Sequence, residues 1–324
     1  NFPAGVELFY NRWRQVGPIH QETSAEDNIM RVKVILNPYA NRWGAKDRAQ
    51  ATAEAFRASG VECDLVVTGA IGQGTPEAEA AARGDYDAVI AAGGDGTINE
   101  VINGVLRASG DGLTRPFGIV PLGTANDFNL MAGLPKKIEE SVRVIAAGRT
   151  RQIDAGQVND RYFINNSAAA MEPMVTLENI KMTRLSGEIR YIVALLRALL
   201  KLKPWDMSLT WDGGGFDGPS YLLSVCNSPR TGGFMMAPGA VLDDGYLDMV
   251  FVPKVSKATV ISILLKLMRG EHIHHPDVTF RRVTAIDLTS TPGTPVHSDG
   301  EIFTESATKV SYRILPGKVT LLTP

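Results

Sequence analysis

Cysteine is scarce. Only Cys63 and Cys226 occur in 324 residues, both in apolar, strand-like runs. That excludes a disulfide framework and leads to the expectation of buried free thiols in a reducing, cytoplasmic setting. No apolar run reaches the roughly 20 residues that a membrane-spanning helix needs, and the printed sequence does not open on a charged-then-apolar secretory leader. Lys plus Arg total 33 against 35 Asp plus Glu. The chain therefore lacks the global basic field of a nucleic-acid binder, and no nucleic-acid partner is expected. No Gly-Lys-Ser/Thr sequence occurs, which excludes a Walker A loop. Internal repeats and low-complexity tracts are absent too. What remains is a soluble protein, or one that lies on a membrane surface.

Hydrophobic residues make up 44% of the chain, enough for a sizeable core and two domains. Residues 1–29 read as an extension outside the periodic pattern. From residue 30 to 148, strand-like runs alternate with helical ones. Strands fall at 31–37, 61–68, 87–92 and 117–120, and helices at 45–58, 76–83, 98–107 and 138–147. Such alternation implies right-handed crossovers and a doubly wound, parallel α/β sheet with ligands at the carboxyl ends of its strands. From 149 to 324 the texture changes to strand-like runs separated by Gly, Pro, Asn and Asp. This predicts a second, mostly antiparallel β domain whose last strands could return to the first. Only two good helices stand out there, 189–202 and 254–269. Both are amphipathic and basic, so each either packs on a sheet or sits at an anionic bilayer surface.

The α/β half is organised around Gly93-Gly94-Asp95-Gly96-Thr97-Ile98-Asn99-Glu100, which joins an apolar strand to a helix. Three glycines in four positions let a ligand approach the backbone N–H groups, and Thr97 is positioned to cap the helix. Unpaired amides and the positive end of the helix dipole favour phosphate. A carboxylate inside an anion-cradling loop makes sense if it organises a metal, so Asp95 points to Mg²⁺-nucleotide chemistry. An ordinary Gly-rich turn with Asp95 as a local cap is the alternative.

Read whole, GGDGTINE resembles the nucleotide-binding signature of the diacylglycerol kinase catalytic family and of sphingosine and ceramide kinases; it is not the GxGxxG of a dinucleotide fold. Pro121-Leu-Gly-Thr-Ala-Asn-Asp127 resembles that family's PxGTxND element, and Asn37-Pro38 the start of its NPxSG element, although Tyr39 to Trp43 depart from the rest. The stretch Gly232 to Asp248 resembles a second-domain signature whose Asp-Asp-Gly turn helps to bind a structural Mg²⁺, and Asp299-Gly300-Glu301 matches a late DGE element. The resemblance implies nucleotide binding by Asn37, Thr68, Gly93, Gly94, Gly96, Thr97, Asn99, Gly123, Thr124, Asn126 and Asp127. Asp95, with Asn126 and Asp127, would organise metal and water, and Glu301 would be the base. Asp244 would bind the structural metal, unless the turn is simply built on Gly245 at positive φ. Asn165 to Glu172 lie where relatives usually carry glycines and an Asp. His272, His274 and His275 have no partnered Cys and read as a loop rather than a zinc site.

The expected activity is ATP- and Mg²⁺-dependent phosphorylation of a hydroxyl on a diacylglycerol-like or sphingoid lipid. The expected partners are ATP and a lipid at the inner membrane surface, with a homodimer compatible but unspecified. An NAD kinase-like small-molecule kinase shares the GGDGT loop, and a catalytically silent nucleotide- or lipid-binding regulator could keep the fold.

Overall fold

The computed structural model describes residues 29–38, 45–182 and 187–324. Most of the expected N-terminal extension and the Tyr39 to Trp43 departure lie outside these residues. Four strands form a parallel block in the order β2-β1-β3-β4: β1 (Arg31–Leu36), β2 (Glu62–Val67), β3 (Ala88–Gly93) and β4 (Phe117–Pro121). Alternation sends side chains of one strand to both faces. Ile90 of β3 packs with Phe56 of α1 (Ala45–Ser59) and Ile145 of α5 (Ile138–Ala147). Val89 and Ala91 pack instead with Ala78 of α2 (Gly74–Arg83) and with Ile98, Val101 and Ile102 of α3 (Asp95–Ser109). Both faces are covered, as near-continuous apolar strands require. A short α4 (Asp127–Met131), not anticipated from sequence, follows β4.

The remaining strands are β5 (Thr150–Val158), β6 (Arg161–Phe163), β7 (Asn166–Ala170), β8 (Trp205–Trp211), β9 (Gly214–Cys226), β10 (Leu247–Pro253), β11 (Thr279–Val283), β12 (Ala285–Ser298) and β13 (Glu301–Leu322). Their mutual pairings are antiparallel. Ile164-Asn165 separate β6 from β7, and Thr284 separates β11 from β12. The two blocks share one 13-stranded sheet, because Leu321 near the end of β13 pairs in parallel with Phe117 of β4.

Among the described residues of the second half lie three α-helices rather than two: α6 (Met171–Ile180), α7 (Gly187–Lys201) and α8 (Lys257–Leu267). Sequence reading missed α6 because its first turn contains Pro173, which a helix tolerates there. Packing of α7 and α8 is partial. Ala194 and Ala198 of α7 are fully buried against Val175 and Met182, and Val260 and Ile263 of α8 are nearly so. Leu196, Leu200, Ile261, Leu265 and, just beyond α8, Met268 stay 54–83% exposed. The apolar stripes are wider than the surface they cover.

Candidate active site

At the carboxyl end of β3 the chain turns through Gly94, which is extended and caps α3. Thr97 therefore does not cap the helix. It lies in the first turn, 5% exposed, packed so tightly on Gly93 that a Cβ there would fall 2.4 Å from the Thr97 Cβ. The second loop closes on the first. Leu122 N–H donates to Gly93 O at 2.8 Å, and a Cβ on Gly123 would stand 2.5 Å from the Gly94 Cα and 2.6 Å from Asn126 Oδ1. Backbone meets backbone here, so glycine is required at 123, while a Cβ on Gly94 would stand a tight 3.2 Å from the Gly123 Cα. Asn126 takes φ +50° and its amide donates to Gly123 O. Arg48 of α1 donates to Leu122 O, and Thr124 is exposed.

Asp95 opens α3 between these loops. Its Oδ1 is buried and has no hydrogen-bond partner, as is Asn126 Oδ1. Burial pushes the Asp95 carboxyl up to about 6, helped by nearby Asp127 and Asp299 and opposed by the Phe128 and Asn126 N–H groups. Two unpartnered oxygens on facing loops suit a hard cation, which takes oxygen ligands, and Asp95 with Asn126 would hold it. Asp127, 3% exposed, is already engaged: its Oδ1 accepts from Arg230 Nε at 2.8 Å and its Oδ2 from Gly233 N–H at 2.9 Å. It ties the second loop to the second domain.

Glu301 starts β13, and its Oε1 lies 2.9 Å from where a Gly96 Cβ would be. The late DGE turn and the glycine loop, 200 residues apart, are thus neighbours. Glu301 is exposed, yet burial of its carboxyl by surrounding protein, with Glu100 and Asp299, raises its pKa, while His297 lowers it. Asp299, at φ +46°, accepts from Ile164, Asn165 and Asn166 N–H and from the Asn99 amide at 2.8–3.1 Å. Asn99, 7% exposed, belongs to this brace. Thr68 is likewise buried, both its N–H and its hydroxyl donating to Leu36 O. Asn37, at the end of β1, donates its N–H to Ala92 O.

A polar chain unanticipated from sequence links the two ends. Thr231 donates to Asn166 Oδ1 at 2.7 Å, Asn166 donates to Glu172 Oε1 at 2.8 Å, and Glu172 Oε1 lies 3.2 Å from His297 Nε2. His297 Nδ1 accepts from Gly300 N–H, beside Glu301. Burial raises the Glu172 carboxyl, but His297, Asn166 and Ser224 outweigh it and hold it below the usual range. Ala170, just before α6, takes φ +73° and ψ −115°, a conformation suited to glycine.

Asp244 stands apart. Its Oδ1 accepts from Tyr246 N–H and its Oδ2 is 3.3 Å from Arg282, which also lies 3.9 Å from Asp248 Oδ1. Asp154 is turned to Gly245 and Gly317 N–H. Gly245 has φ +77°. No group of three His, Cys, Asp or Glu side chains assembles for a metal among the described residues. Asp244 Oδ2 and Asp248 Oδ1 are both buried without a hydrogen-bond partner, with the Arg282 guanidinium beside them. His272 is buried with Nε2 on Met236 O.

Behind Thr231 lies an apolar cavity of about 730 Å³ between the sheet and α6, α7 and α8, lined by leucines, Val250, Val252, Tyr221 and Phe234, with Glu172 at its inner side. It falls within the ligand-pocket range of about 300–1,000 Å³.

Phosphate-ready glycine loops, a carboxylate facing them and an adjoining apolar cavity define a phosphotransferase of the two-domain α/β-plus-β class. The diacylglycerol kinase catalytic domain model matches residues 31–158, and the YegS C-terminal NAD kinase beta sandwich-like domain model residues 168–323. Proteins named diacylglycerol kinase from Staphylococcus aureus strains bovine RF122 / ET3-1 and MRSA252 are 34% identical over 274 residues, covering 84% of this chain and 86% of theirs. Solved structures of a diacylglycerol kinase and of a putative one from Bacillus anthracis str. Sterne share the fold. Their TM-scores are 0.75 and 0.76, with 23% and 22% identity over 92% of this chain and 98% of theirs. The chain belongs to the diacylglycerol kinase family and is a kinase.

Proposed function

We propose that this kinase moves the γ-phosphoryl group of ATP to the hydroxyl of a diacylglycerol-like lipid drawn from a membrane surface. The observation that carries this reading is the 730 Å³ apolar cavity, whose lining includes Thr231, the chain neighbour of Arg230 in the Arg230–Asp127 pair. An acyl chain gains from such burial, whereas the polar body of a dinucleotide substrate would lose hydrogen bonds there.

The two glycine loops would cradle the phosphates with N–H groups and the α3 dipole. Asp95 and Asn126 would hold a divalent cation that supplies charge neutralisation at the phosphates. Glu301 would accept the proton of the lipid hydroxyl as its oxygen attacks phosphorus. Its raised pKa makes it a stronger base than an ordinary glutamate. Through Gly300 and His297, the chain to Glu172 holds the Glu301 turn still.

Around the cavity mouth, exposed Leu196, Leu200, Ile261, Leu265 and Met268 are interspersed with exposed Arg197, Lys257 and Arg269. Apolar wedges among cations suit an anionic lipid surface. No helix among the described residues is long and apolar enough to cross a membrane. The test is the mass of the product formed from ATP, Mg²⁺ and a total lipid extract. A phosphorylated neutral lipid is expected, and ATP turnover that yields only a water-soluble product would overturn the reading.

A further inference from the structure

The second domain places one guanidinium at the cleft, and the expected nucleotide contacts do not include it. Arg230 lies between β9 and β10, next to the cavity residue Thr231. Its Nε is fixed 2.8 Å from Asp127 Oδ1, one residue from Asn126 in the second glycine loop. We propose that Arg230 is a catalytic residue that grips the terminal phosphate of the nucleotide while it passes to the lipid. This rests on the kinase reading above.

Three observations carry it. The Arg230 side chain remains 34% exposed, and its two terminal amino groups have no hydrogen-bond partner among the described residues. Arginine–carboxylate pairs are frequently two-pronged, but the second Asp127 oxygen is taken by Gly233 N–H. Here one nitrogen anchors the group and two remain open. Asp127 also accepts from Gly233 N–H, so the anchor is itself fixed and orients the guanidinium. Finally, Asp95 opens α3 and Glu301 Oε1 lies against Gly96, so two carboxylates stand beside the glycine loops, and a cation from the acceptor side offsets their repulsion of a triphosphate.

In the step itself, the lipid oxygen forms the new O–P bond and gives its proton to Glu301. The bond from the γ-phosphorus to the bridging oxygen breaks, and its electron pair leaves with ADP. Charge spread over the transferring group is what a planar, always-charged guanidinium can meet with two N–H donors.

Calorimetric titration of the full chain with ATP and with ADP, alongside turnover on lipid, tests this. Arg230→Gln is expected to weaken ATP binding about tenfold, leave ADP binding within about twofold and lower kcat by on the order of 10² or more. Arg230→Lys, which keeps the charge and loses the fork, should recover part of the ATP affinity and little of the turnover. A purely structural pair predicts equal losses for ATP and ADP together with a lowered melting temperature. That result, or turnover within about threefold of the parent, overturns the proposal. If Arg230→Gln does not fold, Arg230→Lys carries the same comparison. A parent protein that phosphorylates no lipid would sink the lipid-kinase reading alone, because the ATP-against-ADP difference is read without an acceptor.

Discussion

Replacing Asp95 with Asn should make the protein more stable and inactive at once. The usual aspartate pKa of 3.8 rises to about 6 at Asp95, with burial the largest cause. A raised acid binds more protons folded than unfolded between those values, so the parent loses stability as pH climbs through that window. Above it the loss is constant. Two pKa units are worth about 3 kcal/mol, at about 1.36 kcal/mol per unit, and this is an upper figure because Asp95 keeps some solvent contact. Asn removes the charge, and little is lost at Oδ1, which has no hydrogen-bond partner. Urea unfolding of parent and variant at pH 4 and pH 7.5, without nucleotide or metal, reads the effect. The difference should be near zero at pH 4 and favour Asp95→Asn by about 1–3 kcal/mol at pH 7.5. Turnover should fall by more than about tenfold, a barrier change above about 1.4 kcal/mol. A stability difference that ignores pH, or a variant less stable than the parent at pH 7.5, would refute the reasoning.

Glu301→Gln should lower kcat by on the order of 10² to 10⁴ with nucleotide affinity nearly unchanged, and should erase the rise of rate with pH that begins above the ordinary glutamate range. Weakened ATP binding with normal saturated turnover would move Glu301 out of the base role. Gly123→Ala should cost about 1–3 kcal/mol and abolish nucleotide binding, because its methyl meets Gly94 backbone that cannot yield; calorimetry of a soluble, ATP-binding variant would disprove the loop contact. Leu200→Asp with Leu265→Asp should reduce activity on vesicles while sparing a water-soluble short-chain acceptor, and equal rates on both would remove the membrane role of α7 and α8. Asn99→Leu should destabilise the fold by about 1–3 kcal/mol by leaving Asp299 short of a donor, a loss measurable in the denaturant midpoint.

Local signals in the sequence carried most of the first domain. Strand and helix periods differ, and Gly93 and Gly123 sit where a Cβ would collide, so the loops leave a local mark in the sequence. Roles that depend on distant partners were not. Nothing near Asp127 announces that Arg230 and Gly233, more than 100 residues on, will occupy its carboxylate. Asn99 belongs to the glycine motif by position and to Asp299 by contact. Thr97 has the chemistry of a cap, but the helix begins two residues earlier. The cavity was hidden because α6, α7 and α8 each look like ordinary amphipathic helices, and the void exists only where all three fail to close on the sheet.

The pairing of Leu321 with Phe117 bears on how the chain is made. On the ribosome, β1 to β4 emerge early, with β4 exposing one bare edge until the final strand arrives some 200 residues later. Loop-closure cost grows only slowly with such separation, but an open apolar edge invites pairing with other chains in the interval. The nucleotide loops therefore sit on a half-sheet that stays unfinished until β13 is synthesised. A chain stopped short of Leu321 would expose an adhesive strand, so truncation near the carboxyl end should yield aggregated protein rather than a free nucleotide-binding domain.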